Sequence, residues 1–150
     1  MAAQKPESRF SSSINKLLPL ELHYEKMNNP YRSGTADFWY SGTKADLWVE
    51  YKYLPKVPSN AYSLVSGNKP ALSVLQQKWL KGRHKEGRRV AVIVGTPSGA
   101  IILEGISWAD NLDFSRIATK KQVAEWIVKE SMYERNPTPR SSRKNNDPNV

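Results

Sequence analysis

A chain of 150 residues without a cysteine is long enough for one compact domain and too short for two ordinary ones, and it excludes thiolate catalysis, sulfur-held zinc and disulfides. Its 23 lysines and arginines against 14 acids leave a net charge of +9, which favours a polyanion, most often nucleic acid, over a merely solvated basic surface. The opening residues lack a signal peptide's apolar core and no run approaches the roughly 20 apolar residues of a membrane span, so a cytoplasmic protein without membrane attachment is expected.

Phe10, Ile14, Leu17 and Leu18 recur at helical spacing, predicting a short amphipathic helix over residues 6–18 that Pro19 stops. Glu7 falls in its first turn, where a carboxylate suits the positive end of a helix and needs no other role. Residues 20–26 alternate apolar and polar and predict a strand, followed by a polar loop through Arg32 into Gly34. His23, a lone histidine on that strand, is assigned no chemistry.

Residues 34–53 read as two short strands joined by a turn at Ser41, Gly42, Thr43 and Lys44. On the second strand the period of two places Glu50 and Lys52 on one face and Val49, Tyr51 and Tyr53 on the other. Pairing as a hairpin brings Asp37 to the same place. Two carboxylates and an ammonium then meet at one point of a sheet, an arrangement suited to metal-dependent hydrolysis. The plain alternative is a surface ion pair between Glu50 and Lys52, worth about 0–1 kcal/mol.

The segment 54–70 is rich in proline, serine and asparagine and predicts a long loop. Residues 71–84 turn helical, with Leu72, Leu75, Trp79 and Leu80 on one stripe. The continuous apolar run 90–95 predicts a strand buried on both faces, and the turn Thr96-Pro-Ser-Gly99 returns the chain into a partner strand over 100–104. Residues 105–118 read as a connector. A second helix is expected from Thr119, a candidate N-cap, to Tyr133, with Pro137 and Pro139 beyond it. The domain is thus expected over residues 1–136, with 137–150 a basic tail that carries no periodicity.

The order of these features resembles the PD-(D/E)XK nuclease superfamily: a helix with Glu7, a strand, Gly34-Thr-Ala-Asp37, a strand with Glu50-Tyr-Lys52, the helix Leu72-Ser-Val-Leu-Gln76-Gln-Lys-Trp79-Leu80, then a buried strand. Within it the likeness is to small VRR-NUC-type nucleases and phage-encoded relatives, which carry a similar Gly-x-Pro-Asp, a Glu-x-Lys and a Leu-Ser-x-x-Gln-x-x-Trp-Leu helix. It spans residues 7–95 and departs at Ala36, where the family often has proline. The resemblance implies a mixed α/β fold with a restriction-endonuclease-like core, a central sheet of four to five strands flanked by helices. It also implies that Asp37 and Glu50 hold Mg2+, with Mn2+ as a substitute, that Glu7 adds a further carboxylate, and that the backbone carbonyl of Tyr51 is a possible ligand. Lys52 would orient the attacking water or stabilise charge on the scissile phosphate, and Gln76 would hydrogen-bond beside the site.

The activity so implied is Mg2+-dependent DNA endonuclease, with a phage-type site-specific homing role put first and a Holliday-junction or branched-DNA resolvase or a repair nuclease as alternatives. A non-catalytic nucleic-acid-binding protein on a nuclease-like fold is the competing class. Double-stranded DNA is the expected partner, and two cuts per duplex favour a homodimer or higher oligomer. Arg32, Lys44, Lys56, Lys69, Lys78, Lys81 and Arg83 surround the site in sequence as candidate phosphate contacts. Trp39, Trp48, Tyr53 and Trp79 are aromatics that suit a core better than base stacking.

Overall fold

A computed structural model of the chain describes residues 4–27 and 34–134. The elements in order are α1 (Pro6–Asn15), β1 (His23–Lys26), β2 (Phe38–Ser41), β3 (Asp46–Tyr53), α2 (Val74–Lys85), β4 (Arg89–Thr96), β5 (Gly99–Glu104) and α3 (Lys120–Ser131), with two 3-10 turns between β5 and α3. The expected tail 137–150 and Arg32 lie outside the described residues.

The five strands form one sheet in the order β1-β2-β3-β4-β5, antiparallel except for the parallel pair β3 and β4. Parallel neighbours need a long crossover, and the 54–73 loop with α2 supplies it. The expectation of a mixed α/β fold with four to five strands and helices on both faces is met by five.

The apolar alternation sorts the two layers. Phe10 and Ile14 of α1 and Val123 and Ile127 of α3 pack with Val49, Tyr51 and Ile93 on one face. Leu80 of α2, with Leu64, Leu72 and Trp108, packs with Val90, Val92 and Val94 on the other. The continuous apolar β4 is therefore covered on both sides, as its sequence requires. Deep in the first layer the hydroxyl of Tyr40 donates to Asn15 Oδ1 at 2.6 Å and lies 2.6 Å from that of Tyr51, tying α1 to β2 and β3.

Element ends differ from the sequence reading where local chemistry intervenes. The first helix stops at Asn15, three residues before the predicted end, and Leu17 is left exposed. The α2 helix begins at Val74 because Ser73 caps it, so Leu72 precedes the helix and Leu75 is exposed. Gly34 (φ +95°) lies against the first turn of α2: a Cβ there would stand 2.6 Å from the carbonyl oxygen of Leu75, so only glycine lets the chain enter β2 this close to α2.

Candidate metal centre

In the β2–β3 ladder the last pair is Phe38 opposite Val49, so β3 runs on from Glu50 to Tyr53 with β4 alone as its neighbour. Asp37 sits just before β2 and completes the edge with its side chain: Oδ2 accepts the Tyr51 N–H at 2.9 Å, while its own carbonyl accepts from the N–H of Met27 at 2.7 Å. Those bonds fix Asp37 on two sides. At this open edge side chains from both faces of the sheet meet.

Glu50 and Lys52 share the α2 face with Trp48, as the period of two requires, and Trp48 packs edge-on against Trp79 of α2 at 5.6 Å. Gln76 reaches Glu50 from the first turn of α2. Its amide is held at both ends, Oε1 accepting the Ser73 N–H at 2.9 Å and Nε2 donating to Glu50 Oε2 at 3.1 Å. The first of these bonds is half of a capping box, whose other half is the Gln76 N–H donating to Ser73 Oγ at 3.1 Å. The helix cap therefore sets which end of the amide faces Glu50. The ammonium of Lys52 lies 3.5 Å from the same Glu50 oxygen.

From the other layer Glu7, in the first turn of α1, brings its carboxylate to the edge. Glu7, Asp37 and Glu50 each offer one oxygen, and the three oxygens lie within 4.8 Å of one another. A cavity of ≈ 40 Å³ beside Glu7 and Asp37, also lined by Ser8, Ser11 and Lys26, has room for a few waters at most.

The electrostatics of this grouping are those of an anionic cluster short of positive charge. Glu50 is 1% exposed. Burial, and next the Asp37 carboxylate, push its carboxyl up to about 9, with Lys52 pulling the other way and Glu7 adding to the rise. Burial also raises Glu7, opposed by Lys52 and reinforced by Asp37. While Glu50 Oε2 accepts from Gln76 and faces the Lys52 ammonium, the buried Oε1 has no donor among the described residues. A proton held between Glu50 and Asp37, a water or a cation would satisfy that oxygen, and a cation would also offset the charge of the cluster. Three carboxylates that each bring one oxygen to the same place fit Mg2+ or Mn2+ in ligand type, and Mg2+ retains several waters when proteins bind it.

The candidate residues fall into two groups in space. Glu7, Asp37, Glu50, Lys52 and Gln76 come together, and Tyr51 joins them through its N–H. The described basic residues lie on several elements. Lys44 stands at the hairpin turn, the opposite end of β3 from the site, with Nζ donating to the carbonyl of Lys129 at 3.2 Å. Lys56 and Lys69 are exposed in the 54–73 loop, and Lys78 and Lys81 are exposed on α2. The guanidinium of Arg83 lies over the Trp79 ring at 6.0 Å and 3.4 Å from Glu86. Trp39 stacks on Trp48 at 5.8 Å, both half-buried. Sequence reasoning missed Ser73, although the Ser-x-x-Gln spacing of a capping box was there to be read. Asn15 and Tyr40, which tie α1 to the sheet, carried no such signal.

Fold and site thus define a mixed α/β domain with a candidate divalent-cation centre at the open edge of a central strand. No protein-family model matches the sequence, and no curated protein matches it. Among solved structures the chain is similar to Hjc of Archaeoglobus fulgidus, a Holliday junction resolvase from an archaeal hyperthermophile. The likeness has a TM-score of 0.49 at 13% identity and covers 81% of this chain and 97% of that one. Among the described residues no helix is long and apolar enough to cross a membrane.

Proposed function

We propose that the chain is a metal-dependent DNA endonuclease of the PD-(D/E)XK type, with Glu7, Asp37 and Glu50 holding Mg2+ or Mn2+. The observation that carries this reading is the buried, donorless Glu50 Oε1 within a three-carboxylate cluster. Burying an acid beside two other carboxylates costs stability unless a proton or a cation offsets the charge, and a purely structural sheet needs no such cluster.

The roles follow from placement. Asp37 is pinned by the Tyr51 N–H and Glu50 by Gln76, so two carboxylates are held in place before any ion arrives. A divalent cation held there supplies positive charge to offset a phosphodiester's own and acidifies bound water. Lys52 keeps an ammonium at the rim, 15% exposed, where it orients a water or meets charge developing on phosphate. The carbonyl of Tyr51 is a further ligand in this proposal. The basic composition, +9 overall, suits a DNA substrate. A homodimer fits the need to cut both strands.

The likeness to VRR-NUC-type and phage-encoded enzymes, and with it the homing role, rests on sequence resemblance alone. The substrates to compare are therefore a Holliday junction, the substrate named for the Archaeoglobus fulgidus protein, and supercoiled and linear duplex DNA, each with and without Mg2+. Metal-dependent cutting that disappears in Asp37→Ala and Lys52→Ala is expected, and the preferred substrate assigns the role. Absence of cutting on all three, with DNA binding unchanged in both variants, would leave a non-catalytic binding protein.

A further inference from the structure

The first turn of α1 is a wall between two cavities. On one side Glu7, Ser8 and Ser11 line the small cavity beside Asp37; on the other Pro6, Arg9 and Phe10 line a groove of ≈ 670 Å³. Lys120 and Lys121, at the start of α3, form the groove's far wall, and Tyr53 with the β4–β5 turn forms its floor. That volume is in the range of ordinary binding clefts.

The floor is preformed. Thr96 Oγ1 donates to the Gly99 carbonyl at 3.2 Å and accepts the Ser98 N–H at 3.1 Å, closing the turn on itself. A Cβ at Gly95 would stand 2.7 Å from the Phe10 ring, so the ring lies directly against the strand.

The charge of the groove is one-sided. No acidic residue lines it, and Arg9, Lys120 and Lys121 are all exposed. Elsewhere the described chain neutralises surface arginines, Arg83 with Glu86 at 3.4 Å and Arg89 with Glu130 at 3.3 Å. Among the described residues none of the three groove cations has such a carboxylate, and the Lys120 ammonium lies 5.9 Å over the Phe10 ring. Three unpaired cations around a preformed groove are complementary to a run of phosphates.

Continuity with the metal centre selects among polyanions. Pro6 adjoins Glu7 in sequence and Tyr53 adjoins Lys52, and in the parallel pair Lys52 stands opposite Val94 and Tyr53 opposite Gly95. The groove therefore opens on the α1 and α3 face of the sheet, opposite the Lys52 side chain, at the same end of the same two strands and on the other side of the α1 turn that carries Glu7. We propose that it carries the phosphate backbone of the nucleic-acid strand next to the bond held at the metal centre, with Arg9, Lys120 and Lys121 as the phosphate contacts. The proposal rests on the nuclease reading for the strand's position. Contacts of this kind hold the strand without reading its bases.

The test is fluorescence anisotropy of labelled duplex and Holliday-junction DNA with the full chain in EDTA, over a salt series. Lys120→Ala with Lys121→Ala, and separately Arg9→Ala, change exposed side chains and leave the fold intact. The pair is expected to bind about tenfold or more weakly at low salt and to lower the slope of log K against log salt by about 1 to 2, and Arg9→Ala by about 1. Lys85→Ala with Arg88→Ala, at the other end of β4, is the control and should match wild type. Groove variants that bind within about twofold of wild type with an unchanged slope, or a wild type that binds neither DNA, would overturn the proposal. Groove-dependent binding without metal-dependent cutting would retain the groove and remove the nuclease reading; cutting with unaltered binding in the groove variants would do the reverse.

Discussion

Replacing Glu50 with glutamine separates the consequence of burying an acid from that of burying a side chain. In the metal-free protein the Glu50 carboxyl titrates at about 9, against an ordinary value of 4.5, because it is buried and faces Asp37. Between those two values the unfolded chain has released its proton and the folded chain has kept it. The unfolded state then binds fewer protons, so stability falls as pH rises through that window. One proton corresponds to about 1.36 kcal/mol per pH unit, so from about pH 5.5 to about pH 7.5 the site removes about 2.7 kcal/mol of stability. Glutamine has nearly the shape of the protonated acid, retains an oxygen toward Gln76 and cannot ionise. Urea unfolding in EDTA at steps across this range is the assay. The wild type should lose stability relative to Glu50→Gln by about 2.7 kcal/mol between the two ends. Curves of stability against pH that run parallel for the two proteins would refute the placement of Glu50 as a buried, crowded acid.

The same crowding predicts that Mn2+ or Mg2+ raises the melting temperature, by the equivalent of about 2.7 kcal/mol at a hundredfold excess over the dissociation constant, and that affinity rises with pH as protons leave the cluster. Calorimetry at several pH values checks this, and a shift that persists in Asp37→Ala would place the ion elsewhere. Ser73→Ala removes the Oγ that accepts the Gln76 N–H and should cost about 1 kcal/mol in urea unfolding, while the retained Ser73 N–H still holds Gln76 Oε1, so cleavage should change little; a stability loss near zero would deny Ser73 its part as the α2 cap. Tyr40→Phe leaves Asn15 Oδ1 without its buried donor and should cost about 1–3 kcal/mol, with a loss near zero indicating that the network does not hold α1 to the sheet.

The hairpin and the buried β4 were legible in the sequence because their signals are local. A period of two with a Ser-Gly-Thr-Lys turn fixes which residues share a face, and an apolar run such as Val90-Ala-Val-Ile-Val requires cover on both sides. The meeting of Asp37, Glu50 and Lys52 follows from hairpin register alone. Glu7 was a different matter. Its place depends on how α1 packs, through Phe10, Ile14 and the Asn15–Tyr40 bond, and no pattern within residues 6–18 encodes that angle. Only the family resemblance brought Glu7 to the site beforehand. Lys44 shows that nearness in sequence is not nearness in space: seven residues from Asp37, it is carried to the far end of the hairpin by the geometry that makes the site. Arg9, Lys120 and Lys121 converge from helices more than a hundred residues apart, a juxtaposition set by the packing of α1 beside α3. Leu75 was misplaced because the Ser73 cap starts the helix after Leu72, so that Leu72 and Leu80 are buried while Leu75 points to solvent.

The most direct test of the account joins the ion to the chemistry on one sample. Wild type and Asp37→Asn are titrated with Mn2+ by electron paramagnetic resonance, and cleavage of the preferred DNA substrate is followed at the same Mn2+ concentrations. Cutting by the wild type should rise with the bound Mn2+, and Asp37→Asn, which keeps the side chain's shape but loses its charge, should lose both together. A variant that binds Mn2+ and cuts as the wild type does, or a wild type that cuts without binding the ion, would contradict a metal centre built on Glu7, Asp37 and Glu50.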